Sequence, residues 1–175
     1  MTRLFTAAVL IAAMGLSACT NPDRFGAGGV DPNAGLPPSS AVDQSALGGA
    51  NDPTSAAYFS QTVGDRVLFQ VDQFTLTPQG MATLDGQAQW LITNTDYLAV
   101  IEGHADEQGT REYNVALGGR RANSVRDYLI SRGVPASRLR TVSYGKERPV
   151  AVCSDESCYS QNRRAVTIIS IGSLS

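Results

Sequence analysis

At 175 residues the chain has room for one domain of ordinary size and a tail. Its 14 basic and 16 acidic residues leave a formal net charge of −2, which argues against nucleic acid as a partner. Lys146 is the only lysine, so nearly every cation is an arginine, the side chain that pairs two-pronged with carboxylates.

The N-terminus reads as a targeting segment. Arg3 supplies a short positive region, and Leu4 to Leu16 form an apolar stretch too short to span a bilayer as a helix. The stretch ends in Leu16-Ser17-Ala18-Cys19, which resembles a bacterial lipobox; an ordinary secretory signal with an incidental cysteine is the plainer alternative. On the lipobox reading, residues 1–18 are removed and Cys19 carries lipid. Each buried CH₂ of a lipid chain contributes about 0.8 kcal/mol, so two or more chains anchor stably where one does not. Thr20 stands where inner-membrane lipoproteins carry Asp, which by analogy implies the outer membrane, with the domain facing the periplasm.

Residues 19–54 are rich in Gly, Ala, Pro, Ser and Asn and poor in large apolar side chains, so they read as a flexible tether. About 35 residues reach roughly 115 Å when fully extended, far enough for a folded domain to leave the membrane surface. The domain is expected over 55–175, opening with a short helical turn at Ser55 to Phe59.

Arg66 to Asp72 predicts a strand with Val67, Phe69 and Val71 on one face. Thr77-Pro78 is an N-cap followed by proline at the first helical position, and Met81, Leu84, Ala88 and Leu91 continue at helical spacing. Tyr97 to Glu102 predicts a second strand, apolar enough to be central. A helix follows from Thr110 or Glu112 to Ser131, closed by Gly133 and Pro135. Leu139 to Tyr144 and Arg164 to Ile171 are the remaining strands. The order β-α-β-α-β-β predicts an α+β two-layer sandwich, a mixed β-sheet with helices packed on one face.

The stretch from Glu102 to Val125 carries what chemistry the chain offers. Asp106 sits in a polar loop bracketed by Gly103 and Gly109. On the following helix, Val115, Gly118, Ala122, Val125 and Leu129 fall on one side, with the small residues allowing close approach to the sheet. Asn114, Leu117 and Arg121 form the neighbouring stripe, which puts Arg121 at the core boundary and turns Arg120 toward solvent. An acid and a guanidinium at separate points of one pocket suit a ligand carrying both charges.

VLFQVDQFTL, EGHADEQGTREYNVALGGRRANSVRDYL, VSYGKERP and YSQNRRAV together resemble the lipoprotein members of the family of OmpA-like C-terminal domains, over about Val63 to Ile171. The resemblance implies non-covalent binding of peptidoglycan through the diaminopimelate of its stem peptide. Asp106 matches the family acid that takes the ammonium, and Arg121 matches the arginine that takes the carboxylate. Val71 and Asp72 at the strand end, Asn114 and Leu117 on the helix, His104 and Ala105 at the loop edge, and Asn162 of YSQNRR are implied as pocket residues, while Phe74 stands where the family often has Tyr. The resemblance also implies a place in the Tol system of envelope integrity and division, with the periplasmic propeller protein TolB as a competing partner.

Cys153 and Cys158, in Cys-Ser-Asp-Glu-Ser-Cys, are expected to form a local disulfide after export; two free thiols or a metal site are the alternatives. An enzyme reading, with His104, Asp106, Glu107 and Glu112 as a hydrolase metal cluster, has one histidine with scattered carboxylates, a poor zinc set. No serine or cysteine sits with an evident base, so no catalytic residue and no cofactor are expected beyond the lipid. Arg163 and Arg164 read as a solvated strand start or as a contact for a protein partner.

Overall fold

The computed structural model describes residues 49–172. The targeting segment, Cys19 and the tether up to residue 48 lie outside the described residues. Residues 49–54 are tied to the domain: the Ser55 hydroxyl donates to the Gly49 carbonyl at 2.9 Å, and the Trp90 indole donates to the Pro53 carbonyl at 2.7 Å.

Ser55 caps helix α1 (Ala56–Tyr58), which runs into a π-helical turn, Phe59–Gly64. Strand β1 covers only Arg66–Leu68. The expected strand is longer because the alternation of Val67, Phe69 and Val71 continues past it. Phe69 is buried as expected, but the chain turns at Val71, which is exposed, and Asp72 takes φ 56°. Helix α2 (Pro78–Thr93) begins at the Thr77 cap, whose hydroxyl accepts from the Gly80 amide at 3.0 Å. Its buried face holds Leu84, Ala88 and Leu91, while Met81 is only partly covered. Gln87 is buried too, donating to the Gly64 carbonyl at 2.7 Å and accepting from Thr167 at 2.8 Å, so its polar ends are satisfied.

Strand β2 (Tyr97–His104), helix α3 (Arg111–Ser131) and strand β3 (Leu139–Gly145) follow, then helix α4 (Glu156–Asn162) and strand β4 (Arg164–Ile171). A 3₁₀ turn, Ala136–Arg138, joins α3 to β3. The order adds one helix to the expected β-α-β-α-β-β. Helix α4 has only seven residues, capped by Asp155 and crossed by the Cys153–Cys158 disulfide. That length is too short for apolar periodicity to show. The sheet order is β1-β4-β2-β3, mixed, with β2 pairing parallel to β3 and antiparallel to β4. The class is the expected α+β sandwich, and β2 is central as its apolar run predicts.

Helix α3 rests directly on the sheet. A Cβ built on Gly103 would stand 1.8 Å from the Gly118 carbonyl oxygen, so this crossing admits no side chain on the strand. Gly103 is therefore a packing glycine inside β2, not a turn of the loop as its position suggests. Phe59, Trp90 and Tyr97 form an aromatic row with successive centroids 4.9 Å apart, at the end of the core away from the α3 N-terminus.

Candidate ligand cleft

The C-terminal end of β2, the loop 105–110 and the first turns of α3 meet the turn after β1 around a cleft of about 290 Å³. Of the expected residues, Val71, Asp72, Asp106, Asn114 and Leu117 line it. Gly109, expected as a loop bracket, Gln108 and Tyr113 complete the wall, and none of the three is expected as a pocket residue. Gly109 has φ 88°, the left-handed conformation that lets the loop turn into the Thr110 cap of α3. The Asn114 amide holds that loop by donating to the Gln108 carbonyl at 2.7 Å. Lys146, the sole lysine, holds it from outside, with Nζ 2.8 Å from the Gly109 carbonyl.

Asp106 is buried, and both its oxygens are placed. Oδ1 accepts from the Gln108 amide at 3.2 Å, and Oδ2 faces Arg163 Nη1 at 3.1 Å. Arg163 also pairs with Glu156 on α4 and donates through Nε to the Phe69 carbonyl at 3.4 Å. Burial pulls the Arg163 pKa down, but the bonds to Glu156 and Asp106 more than offset it and leave it raised. The same pairing lowers the Glu156 carboxyl. Asp106 is thus held by an ion relay reaching to α4. Arg163 and Arg164 are both buried, not a solvated strand start or a protein-facing contact as their position suggests. Arg163 closes α4 and pairs with its Glu156, while Arg164 opens the interior strand β4 and donates to the Arg148 carbonyl in the loop after β3.

Arg121 is the largest fully buried side chain, at 0% exposure. Helical phase puts it at the core boundary; the structure places it beneath the cleft. Nε donates to the Gln73 carbonyl at 2.8 Å, Nη1 to His104 at 2.8 Å, and Nη2 to Gln70 at 3.1 Å. The guanidinium also lies over the Phe69 ring, 5.2 Å from its centroid. Burial lowers its pKa to about 10, with Asp106 acting in the opposite direction, so it is cationic at neutral pH. A carboxylate from solvent reaches it only when the 70–73 segment shifts. That segment contains Asp72, whose positive φ is unique among the described non-glycine residues.

Like Arg121, His104, Ala105 and Asn162 do not line the cleft. The His104 ring points to the other face of β2 and stacks on Tyr144 with centroids 5.6 Å apart. Its ring nitrogens lack hydrogen-bond partners; Glu102 stands 3.6 Å from Nε2, too far for one. Burial, with Arg164, Arg148 and Arg66 adding to it, lowers its pKa to about 4 and keeps it neutral. Its backbone serves the site instead, as a carbonyl for Arg121. Asn162 is fully buried and accepts from the Val150 and Ala151 amides at 2.9 and 3.2 Å. It shapes the loop before α4 and reaches Glu107 at 3.1 Å.

The cleft therefore offers two carboxylates, Asp72 and Asp106, above a buried arginine. A separate cavity of about 200 Å³ beside β1 is lined by one charged side chain, Arg66, and no acid. Cys153, Asp155 and Cys158 cluster closely, but the two sulfurs are bonded to each other and offer no thiolate. Among the described residues no helix is long and apolar enough to cross a membrane.

Residues 68–163 match the OmpA family. Similar relatives include the peptidoglycan-associated lipoprotein of Rhizobium meliloti (strain 1021), 60% identical over 121 residues, covering 69% of this chain and 69% of that relative. The protein of the same name from Mesorhizobium japonicum is 56% identical over 134 residues, covering 76% of this chain and 80% of its own. The solved peptidoglycan-associated lipoprotein from Burkholderia pseudomallei superposes with a TM-score of 0.62 at 39% identity, over 69% of this chain and 98% of that one. The matched region contains both walls of the cleft, and the chain belongs to the OmpA family.

Proposed function

We propose that this chain binds peptidoglycan without covalent attachment, through the diaminopimelate of the stem peptide. The observation that carries this reading is the charge arrangement of the cleft: two acids at its surface and one guanidinium below. The far end of diaminopimelate in an uncrosslinked peptide has a free ammonium and a free carboxylate. Asp106, steadied by Arg163, and Asp72 take the ammonium. Arg121 takes the carboxylate when the 70–73 segment yields its carbonyls. Peptidoglycan association in the names of relatives more than half identical supports the ligand class.

The chain acts as a tether rather than an enzyme. The lipobox-like end at Cys19 supports a lipid anchor, and Thr20 supports the outer membrane, so one end holds the membrane while the cleft holds the wall. The motif resemblance to the lipoprotein members of the family carries the further reading of a role in the Tol system, with TolB competing for the same face. Sedimentation with purified sacculi tests the wall contact. Wild-type domain co-sediments, and Asp106→Asn, nearly isosteric, remains in the supernatant while still folded at the assay temperature by circular dichroism. Undiminished co-sedimentation of Asp106→Asn removes the site.

A further inference from the structure

Arg120 lies one residue from the buried arginine and in a different setting. It is exposed, and its guanidinium carbon sits 5.4 Å from the Phe74 centroid and 5.9 Å from the Tyr113 centroid. Both rings are themselves about two-fifths exposed, at 43% and 42%. A guanidinium flanked by two rings loses rotamers before any ligand arrives, so less ordering is left for binding. The Tyr113 hydroxyl bonds Asp72, and Tyr113 and Asp72 both line the cleft, so the shelf is continuous with its mouth.

Several other arginines of the domain have their charge engaged, while Arg148, like Arg120, lies over a ring, that of Tyr144. Arg111, Arg126, Arg132 and Arg163 pair with carboxylates, while Arg121 and Arg138 are satisfied by backbone carbonyls. Among the described residues, no ion pair involves Arg120. Its neighbours are the rings of Phe74 and Tyr113, which leaves an exposed cation beside a residue of the cleft wall.

We propose that Arg120, on the shelf made by Phe74 and Tyr113, is a second carboxylate site that binds the wall peptide next to the cleft. This rests on the peptidoglycan reading above. The diamino acid in the cleft is joined to a glutamate through that residue's side-chain carboxyl, so the glutamate α-carboxylate stays free. As the peptide leaves the cleft past Tyr113, this is the next anion along it. Arg120 pairs with it in solvent, where a charge-assisted bond is weaker than one underneath. The site therefore reads whether that carboxylate is free or amidated.

The test uses calorimetry with two synthetic tripeptides, L-alanyl-γ-D-glutamyl-diaminopimelate and its counterpart carrying an α-carboxamide on the glutamate. Wild-type protein is expected to bind the free acid roughly fivefold more tightly, the size of about 1 kcal/mol for an exposed ion pair. Arg120→Gln is expected to bind both peptides equally, with the wild-type affinity for the amide. Equal binding of the two peptides by wild type overturns the shelf while leaving the cleft intact. So does an Arg120→Gln variant that keeps the preference, or one that loses affinity for both peptides alike. Failure of wild type to bind either peptide overturns the cleft reading and the shelf together.

Discussion

Two adjacent arginines, Arg120 and Arg121, should respond very unequally to the same substitution. Arg121→Lys keeps the charge but replaces a fork by a point. Three carbonyls, on Gln70, Gln73 and His104, now receive Nη2, Nε and Nη1. A lysine ammonium on a shorter, single stem cannot meet all three, and at least two acceptors lose their donor. Each hydrogen bond to a charged donor contributes about 1.5–3 kcal/mol, so losing two should cost the variant about 3–6 kcal/mol. That is a large share of the stability of a small domain. Trp90, the only tryptophan, lies in the core and reports unfolding by fluorescence. In urea titration, the Arg121→Lys midpoint should fall sharply, while Arg120→Lys stays within about 0.5 kcal/mol of wild type. A loss below about 1 kcal/mol for Arg121→Lys would refute the view that its fork holds the 70–73 segment.

The relay behind Asp106 predicts an asymmetry. Arg163→Met should cost several kcal/mol and weaken ligand binding, because it strands the carboxylate of Asp106 in a buried position. Glu156→Gln, at the exposed end of the relay, should leave the urea midpoint nearly unchanged. His104 sets a pH dependence. Its pKa falls from 6.5 to about 4 on folding, so between those values the unfolded chain binds a proton that the folded chain refuses. The stability from a neutral imidazole is complete above pH 6.5 and is lost as pH falls toward 4, by up to about 3 kcal/mol. Melting curves across that range should flatten in His104→Gln; an unchanged slope counts against His104 as its source. Gly103→Ala places a methyl group against the Gly118 carbonyl and should lower the melting temperature by an amount matching about 2–3 kcal/mol, read by calorimetry. A neutral outcome there would show that α3 does not rest on β2 as closely as described.

Long elements with strong periodicity were legible from residues alone. The Thr77-Pro78 start, the α3 limits and the central place of β2 follow from local chemistry and apolar pattern. What escaped were features set by partners distant in sequence. The strand signal of Val67, Phe69 and Val71 overran because nothing local marks where β4 stops pairing with β1. In the cleft, Asp106, Asp72, Val71, Asn114 and Leu117 were legible through motif and helical phase. Phase also found the right side of α3 for Arg121, but it could not show that three carbonyls from two segments close over it. Tyr113, Arg163 and Glu156 were invisible because their roles depend on contacts across the fold, with Arg163 lying 57 residues from Asp106. The family resemblance implied His104 and Asn162 as pocket residues, yet strand alternation turns the His104 ring away and burial commits Asn162 to the loop before α4.

The central claim is that the cleft reads both charges at the far end of diaminopimelate. Lysine in the same tripeptide keeps the ammonium and lacks the distal carboxylate. Calorimetric titration of the wild-type protein with the two peptides is therefore the most direct measurement. The account predicts saturable binding of the diaminopimelate peptide and at least tenfold weaker binding of the lysine peptide, a difference of about 1.4 kcal/mol or more for one charge-assisted contact. Equal affinity for the two peptides would contradict it.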